Sequence, residues 1–334
     1  MNLNKNSNKK KAFVLAFACL VLAVIGLIVA IACGTKHISL TVIWDSFFHY
    51  DESLDMQLIR NGRLPRAVST ALVGGFLGIT GAMMQGVTRN PIAEPSMMGI
   101  TQGATLAIAI VSVNQNLYGL FGTTFAALFG ACISGLLVLF FSMQNARNMN
   151  ISRLLLAGTA LSTFFISLAS AIALLNNKSQ NLAFWVAGGF RSVTWDSVWL
   201  LVIVGTIGSI CAFLLAKHIN IVSLGEDVAI GLGENPVKIR VLTLLLLIPI
   251  CAVCVSVSGN IAFVGLIVPS ITRKIIGVDY RLIMPVSFLM GSALVVWADV
   301  GARLINAPYE TPVGLFTSLI GVPFFLWMVR KENE

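Results

Sequence analysis

The sequence predicts an all-α, polytopic membrane protein, and three observations support this. Of its 334 residues, 57% are hydrophobic and only 11% are charged, and the mean hydropathy is +0.89. A soluble domain carries about 25% charged residues. Apolar segments close to the length that spans a bilayer, about 20 residues, recur along the whole chain. The basic residues also divide unequally between the two sides that those segments define.

Ten apolar segments are predicted to be transmembrane helices. The third and eighth are short or rich in glycine and proline, so the sequence defines their ends least well. The ten segments are 12–33, 64–87, 95–113, 118–142, 151–175, 194–216, 240–257, 261–276, 282–304 and 312–329. Ten spans use roughly 200 residues, which leaves short loops and a single transmembrane domain over residues 1–334.

The first apolar segment has two interpretations. Lys5 and the lysines at 9–11 precede it, and it ends at Cys33, as in a secretory lipoprotein signal. The apolar run is about 22 residues long, however, whereas the apolar region of a signal peptide has about 7–15. Further spans also follow it. We therefore predict that this segment is the first transmembrane helix.

The lysines and arginines orient the predicted helices. With ten spans both termini lie on one side, and 15 of the 22 basic residues fall on that side. Because cytoplasmic loops carry an excess of Lys and Arg, we expect both termini to be cytoplasmic. The net charge of +8 follows from this topology and does not call for a nucleic-acid partner. The seven basic residues on the other side are Lys36, Arg60, Arg63, Arg66, Lys178, Arg191 and Arg303.

Small residues recur every four positions on the second and third predicted helices. Such a stripe is flat and lets helix backbones approach each other closely in lipid. We expect helix packing there rather than a nucleotide site, because "GGFLGITG" lacks the Lys-Ser/Thr ending of a P-loop. The two stripes are Gly74, Gly78, Ala82 and Gly86, and Gly99, Gly103 and Ala107.

The sequence contains little that predicts an enzyme, a cofactor or a metal site. It has no H-E-x-x-H, G-x-S-x-G or P-loop motif. All six cysteines lie in or beside apolar segments, which favours packing over disulfides or zinc. Cys251 and Cys254 form a C-x-x-C pair, so redox chemistry is the alternative interpretation there.

No acidic residue lies clearly at the middle of a span, where a proton-coupled carrier usually keeps one. Asp299 is the nearest candidate, but Arg303 follows it four residues later, and an i,i+4 ion pair explains both. Without an ATP site or a proton relay, energy is expected to arrive from another protein.

Segment 217–240 is the longest predicted cytoplasmic loop, and it contains helix start and stop signals. Ser223 followed by Glu226 fits a capping box for a short helix over 224–230, which the glycines at 231 and 233 would end. Asn235 and Pro236 fit the cap and first position of the next helix. We predict a compact docking segment for another protein, with a solvated loop as the alternative.

Arg60, Arg63 and Arg66 cluster where the second helix begins, and Arg303 lies at another boundary on the same side. One interpretation is that their long side chains reach the interface while their stems stay in the apolar layer. The other is that they pair with carboxylates of an external partner, which suits the bidentate guanidinium group.

The stretch "GVTRNPIAEPSMMG" at 86–99 interrupts the apolar sequence with two prolines and several polar residues. It is predicted to be either an ordinary loop or a shaped turn on a transport path. Pro91 and Pro95 favour a stiff turn, because the proline ring restricts φ.

These features together resemble the FecCD family of ABC-transporter permeases over nearly the whole chain. The resemblance rests on "RLPRAVSTALVGGFLGITGAMMQGVTRNPIAEPSMMGITQGA" (63–104), "LLLAGTALS" (154–162), "WVAGGF" (185–190), "LGEDVAIGLG" (224–233), "SGNIAFVGLIVPSITR" (258–273) and "ADVGARL" (298–304). Such motifs in family order imply a type II ABC importer permease fold. They also imply a multi-pass protein of the bacterial inner or plasma membrane.

The resemblance further implies a transport subunit that is not itself an enzyme and that imports a ferric siderophore, with the hydroxamate type as one option. The implied partners are a second permease subunit in a homo- or heterodimer, two cytoplasmic ATP-binding subunits and an extracytoplasmic substrate-binding protein. Haem or cobalamin import is the alternative within the family, and a secondary transporter is the alternative outside it.

The resemblance also assigns roles to three groups of residues. Each role is an expectation carried over to the matching positions of this chain. The cytoplasmic gate is Asn90, Pro91 and Ile92. The contact with the ATPase is Ser223, Leu224, Gly225, Glu226, Ala229, Gly231, Leu232 and Gly233. The contact with the binding protein is Arg63, Arg66 and Arg303.

One position departs from the family pattern. The family usually has histidine after the proline of "GLIVP", whereas this chain has Ser270. A hydroxyl group replaces one hydrogen bond but carries no charge, so a role that depends on the imidazole does not transfer to this chain.

Overall fold

The computed structural model describes residues 2–34, 38–51, 53–113, 115–143, 151–191, 193–307 and 309–332. Lys36, one of the charges used to orient the chain, lies outside them. Within the described residues the regular structure is entirely helical, as the composition predicts. The fourteen α-helices in these ranges are α1 Asn2–Ala32, α2 Leu40–Phe48, α3 Leu54–Leu58, α4 Leu64–Thr88, α5 Ile100–Val113, α6 Gln115–Ser142, α7 Ile151–Leu175, α8 Ser179–Ala187, α9 Trp195–Ser223, α10 Glu226–Gly231, α11 Pro236–Ser258, α12 Val264–Ile276, α13 Tyr280–Leu304 and α14 Val313–Glu332.

Each of the ten predicted spans coincides with one of these helices: α1, α4, α5, α6, α7, α9, α11, α12, α13 and α14. Seven helical stretches are long and apolar enough to cross a bilayer, and α5 and α14 contain shorter apolar helices. The second stretch is longer than predicted, because α3, a π-helical turn at Ile59–Arg63 and α4 run on as Leu54–Thr88.

Several boundaries differ from the prediction. The third span was expected to begin at 95, but Pro95–Met98 forms a separate 3-10 turn and Gly99 has a φ of 68°, so α5 begins at Ile100. The fourth helix is interrupted at Gly122, where φ is 58° and ψ is 161°. The eighth helix begins at Val264, three residues later than predicted.

Helix α4 is the centre of the bundle. Almost every residue from Val73 to Thr88 is buried, whereas α1 and α7 expose most of their apolar surface. Neighbours α9, α11, α12 and α13 pack around α4. Exposed apolar helix surface is expected for a chain that lies in lipid.

The glycine stripe of α4 is where neighbouring backbones approach it most closely. A Cβ atom at Gly74 would overlap the carbonyl oxygen of Gly291 in α13, and one at Gly78 would overlap the carbonyl of Ser287. On another side, Gly81 meets the backbone of Gly265 in α12. The predicted close packing is therefore confirmed for α4.

The prediction of the second stripe is only partly correct. Gly103 of α5 faces Gly130 of α6, and Ala107 contacts the same glycine. Gly99 does not belong to that stripe, because its left-handed backbone places it before the helix begins.

The two ends of the helix bundle carry different groups of residues. The α10 end contains α10, the end of α4 and the beginnings of α11 and α13. The arginine end contains Arg63, Arg66 and Arg303, near the start of α4, the end of α1 and the end of α13.

We predict that Gly81→Ala destabilises the bundle by about 1–3 kcal/mol, because the added Cβ must displace the Gly265 backbone. The thermal denaturation midpoint of the detergent-purified protein should fall. The control is Gly62→Ala, since a Cβ there would lie 3.5 Å from Leu58 Cδ1, an ordinary contact. Equal midpoints for the two variants would contradict the close-approach interpretation.

Candidate functional site

The chain leaves α4 through a compact turn at the α10 end. Arg89 ends the helix in the left-handed region, with a φ of 51°. The Asn90 side-chain oxygen then accepts a hydrogen bond from the amide of Ile92 at 3.0 Å, and the Asn90 carbonyl accepts one from the amide of Ala93 at 3.2 Å. An asparagine that bonds its own backbone two residues later defines a turn. The segment is therefore a shaped turn rather than an unstructured loop.

This turn is held against α12 by buried polar contacts. The Ser270 hydroxyl donates to the carbonyl of Pro91 at 3.1 Å. The Gln85 amide nitrogen donates to Ser270 Oγ at 3.2 Å and to the Leu266 carbonyl at 3.0 Å. Both side chains are about 1% exposed. At the position where the family pattern has histidine, a neutral hydroxyl thus connects the turn, α4 and α12.

Glu94 is a buried acid whose role the sequence analysis missed. Its side chain is only 8% exposed, and Oε1 accepts a hydrogen bond from the amide of Phe263 at 2.7 Å. Phe263 has a φ of 69° and immediately precedes α12. A carboxylate at that position favours the helix start, where backbone amides are unpaired.

The expectation was that no acidic residue lies clearly at the middle of a span, and Glu94 lies instead between α4 and α5, from where its side chain reaches into the bundle. Glu94 lines a cavity of about 20 Å³ together with Leu77 and Cys251, which lie well inside α4 and α11. A cavity of this size holds about one water molecule. The sequence signal was the acid between two prolines in an apolar surrounding, but only the fold shows that the chain returns to this depth.

The α10 segment is folded differently from the prediction. Helix α9 continues through Ser223, and the Ser223 hydroxyl donates to the carbonyl of Asn220 within that helix. Gly225, with a φ of 131°, is the residue that precedes α10. The predicted capping box of Ser223 and Glu226 is therefore wrong, because Ser223 still belongs to the preceding helix.

Two polar contacts hold α10 and the segment after it against the neighbouring helices. Glu226 Oε1 lies 2.5 Å from Nη1 of Arg240 in α11, and Glu234 Oε1 lies 2.6 Å from Nδ1 of His218 in α9. The Asn235 side chain accepts a hydrogen bond from the amide of Lys238, so the predicted cap of α11 is confirmed.

The surface of α10 is apolar on the side that faces away from the bundle. Ala229 is fully buried against the bundle. Four large apolar side chains around it are 47–63% exposed: Leu224, Val228, Ile230 and Leu232. An exposed apolar patch rimmed by charged residues is typical of a protein interface.

Two of the arginines at the opposite end are buried. Arg63 donates to the carbonyls of Ile31 and Ala32, and Arg303 donates to the carbonyl of Ala30. These carbonyls belong to the last turn of α1, where helix carbonyls lack intrahelical partners. The two guanidinium groups therefore close the end of α1.

Asp299 is the acid at the centre of this cluster. Its side chain is fully buried, 2.9 Å from Arg303 Nη2 and 2.9 Å from Arg66 Nη2, so the predicted i,i+4 pair with Arg303 is present. Arg66 also contacts Glu310 at 2.6 Å, and Arg191 contacts the same acid at 3.6 Å.

This geometry shows that the three arginines are not equally accessible to an external partner. Arg63 and Arg303 are 7% and 6% exposed, and their donors are directed to the end of α1 and to Asp299. Arg66 keeps 13% of its side chain exposed. The sequence correctly placed them at one end but could not show the internal acceptors.

A cavity of about 370 Å³ opens beside Arg66 and Glu310. Helices α5, α6 and α8 and the segment 188–191 surround it. Its volume lies within the range of small-molecule sites. The polar residues that line it include Arg191, Ser112, Thr123, Thr124, Asn181, Ser197, Ser256 and Ser258.

Comparisons with known proteins agree with this architecture. Residues 21–331 match the model of the FecCD transport family. The chain is 41% identical over 97% of its length to the iron(3+)-hydroxamate import system permease protein FhuB of Bacillus subtilis, of which it covers 84%. It is 36% identical over 84% of its length to the Fe(3+) dicitrate transport system permease protein FecC of Escherichia coli, of which it covers 85%.

A solved structure of a metal-chelate type ABC transporter in an inward-facing conformation is also similar. The TM-score is 0.81 at 27% sequence identity, and the match covers 95% of this chain and 98% of that one.

We predict that Ser270→Ala loosens the turn after α4, because the Pro91 carbonyl and Gln85 each lose a buried partner. The expected loss of stability is about 1–3 kcal/mol. The amides of Ile92 and Ala93 should exchange hydrogen faster. Ser142→Ala is the control, since that buried hydroxyl donates to the carbonyl of Leu139 in its own helix. Unchanged exchange at both amides would show that Ser270 does not hold the turn.

Proposed function

The chain belongs to the FecCD transport family, and we propose that it forms the translocation path for a ferric siderophore in an ATP-driven importer. It is a permease subunit of an ABC importer and a transport component rather than an enzyme. The observation that supports the substrate class is the 41% identity to an iron(3+)-hydroxamate permease over 97% of the chain. A ferric hydroxamate is therefore the proposed substrate.

The α10 end is proposed to face the cytoplasm, with both termini on that side. The positive-inside bias supports this orientation, because 15 of the 22 basic residues fall there. The arginine end then faces the outside, where a substrate-binding protein would deliver the chelate. The 370 Å³ cavity opens on that outer side.

Segment 217–240 is proposed to bind one of two cytoplasmic ATP-binding subunits. Support comes from the exposed apolar residues of α10 and from its fixed position, which the Glu226–Arg240 and Glu234–His218 pairs maintain. A second permease subunit would complete the path, and the exposed apolar surface of α7 is available to it or to lipid.

The turn at Asn90, Pro91 and Ile92 is proposed to be the cytoplasmic gate. It lies at the same end as α10, and its backbone hydrogen bonds and its contact with Ser270 give it a defined shape. A gate needs such a shape, because a disordered loop would not close a path reproducibly.

Uptake in vesicles tests the proposed function. The permease, its ATPase and its binding protein should import an iron-55 hydroxamate chelate only when ATP is present. An excess of unlabelled ferric hydroxamate should compete, whereas haem and cobalamin should not. Vesicles with an ATPase inactive in hydrolysis serve as the control. Competition by haem or cobalamin instead would reject the siderophore assignment, and uptake without ATP hydrolysis would reject an ABC mechanism.

The binding protein is proposed to dock on the arginine end through Arg63, Arg66 and Arg303. Because Arg63 and Arg303 are buried, Arg66 and its acid Glu310 are the first groups that a partner would meet. Contact with Arg63 and Arg303 then requires the cluster around Asp299 to open.

We predict that Arg66→Gln slows association of the binding protein with nanodisc-embedded permease by up to about tenfold at low salt. The difference should shrink at high salt, since salt screens exposed charges. Lys178→Gln removes a cation from the loop before α8 at the same end and is the control. Normal association of a correctly folded Arg66→Gln at both salt concentrations would reject docking through this residue.

A further inference from the structure

On the basis of the proposed function, we propose that Arg240 is a positioning residue that transmits movement of α10 to the turn at Asn90–Ile92. It is a buried side chain that contacts α10 and the last turn of α4, and α4 leads directly into the turn. Arg240 would thus connect the ATPase contact with the gate. It is the last residue of segment 217–240, but no sequence motif assigns it a role.

The contacts of Arg240 place it between the two elements. Its side chain is 5% exposed, and Nη1 lies 2.5 Å from Glu226, the first residue of α10. Its Nε donates to the carbonyl of Val87 at 3.1 Å, and Val87 lies in the last turn of α4. Two residues after Val87 the chain enters the turn through Arg89.

The carbonyl of Val87 is a suitable point of attachment. The last four carbonyls of a helix have no intrahelical partner, so an external donor can hold them. A displaced donor would therefore pull on the end of α4 without first breaking a helical hydrogen bond. The planar guanidinium group holds both acceptors in one rigid geometry, which a lysine ammonium does not do.

Arg240 also has an unused donor. Its Nη2 is buried and has no hydrogen-bond partner within the described residues. A donor that is unpaired in one arrangement can bond a carbonyl that another arrangement brings near. The last carbonyls of α4, which lack intrahelical partners, are acceptors of this kind.

Packing supports the same connection. Ala229, the buried residue of α10, belongs to one apolar cluster with Val87 and with Ile239, which precedes Arg240. Arg89 also reaches back to the α9–α10 junction, because a Cβ at Gly225 would lie 3.6 Å from Arg89 Nη1. A shift of α10 would therefore be transmitted to the end of α4 through Val87 and through Arg89.

The test compares Arg240→Gln and Arg240→Lys with Arg281→Gln, which removes an exposed cation at the start of α13, at the same end of the bundle and outside segment 217–240. Each variant is reconstituted with the ATPase and binding protein, and the ATP hydrolysed per ferric hydroxamate imported is measured. We expect Arg240→Gln to raise this ratio about fivefold or more. Arg240→Lys should give an intermediate value because lysine reaches only one acceptor, and Arg281→Gln should leave the ratio unchanged.

A second measurement separates linkage from a merely structural role. Hydrogen exchange in the wild-type permease–ATPase complex should change on ATP binding both at α10 and at the amides of Ile92 and Ala93. In Arg240→Gln the change at α10 should persist and the change at the turn should be lost. If that variant does not fold, Glu226→Gln, which removes one exposed acceptor, should shift the ratio and the exchange in the same direction.

The two proposals fail differently. Wild-type vesicles that import no ferric chelate would reject the proposed function, while the exchange measurement would still report on the connection. A folded Arg240→Gln with a wild-type ratio and a wild-type response at the turn would overturn the role of Arg240. If Arg240→Gln does not fold, the same result for Glu226→Gln overturns it.

Discussion

The close approach of neighbouring backbones to α4 is the constraint on which the rest of the structure depends. Gly74 and Gly78 let α13 pack against α4, and Gly81 lets α12 do so on another side. In lipid, helices gain little from burying apolar surface alone, so close packing of small residues supplies much of the association. Once α4 is enclosed, contacts with α11 and α12 position its end and the turn after it.

The polar groups around α4 follow from the same enclosure. Buried carbonyls and carboxylates need partners, because an unsatisfied group in an apolar environment costs about 1–3 kcal/mol. Ser270 supplies a donor to Pro91, and the Phe263 amide supplies one to Glu94. At the other end, arginines donate to the last carbonyls of α1. These polar side chains thus join one helix to the end or turn of another.

The sequence predicted the surroundings of some functional residues correctly and those of others wrongly. Ser223 was expected to begin a short helix, but α9 has no stop signal before residue 224 and continues through it. The arginines were expected to reach the interface or to pair with an external partner, but Arg63 and Arg303 bond carbonyls at the end of α1, and such acceptors are not visible in a linear pattern. Arg240 carries no motif at all, and its two partners lie 14 and 153 residues away along the chain.

The sequence by itself determined that the protein is a helical membrane permease, because apolar segment length, glycine spacing and the order of the FecCD motifs are properties of the linear chain. It also predicted ten helices whose ends lie within a few residues of the observed ends in most cases. Only the tertiary structure decided which polar groups meet. Glu94 reaches Phe263 across 169 residues, and Asp299 meets Arg66 across 233. Such contacts depend on how helices cross, and crossing is set by packing between distant segments rather than by local pattern.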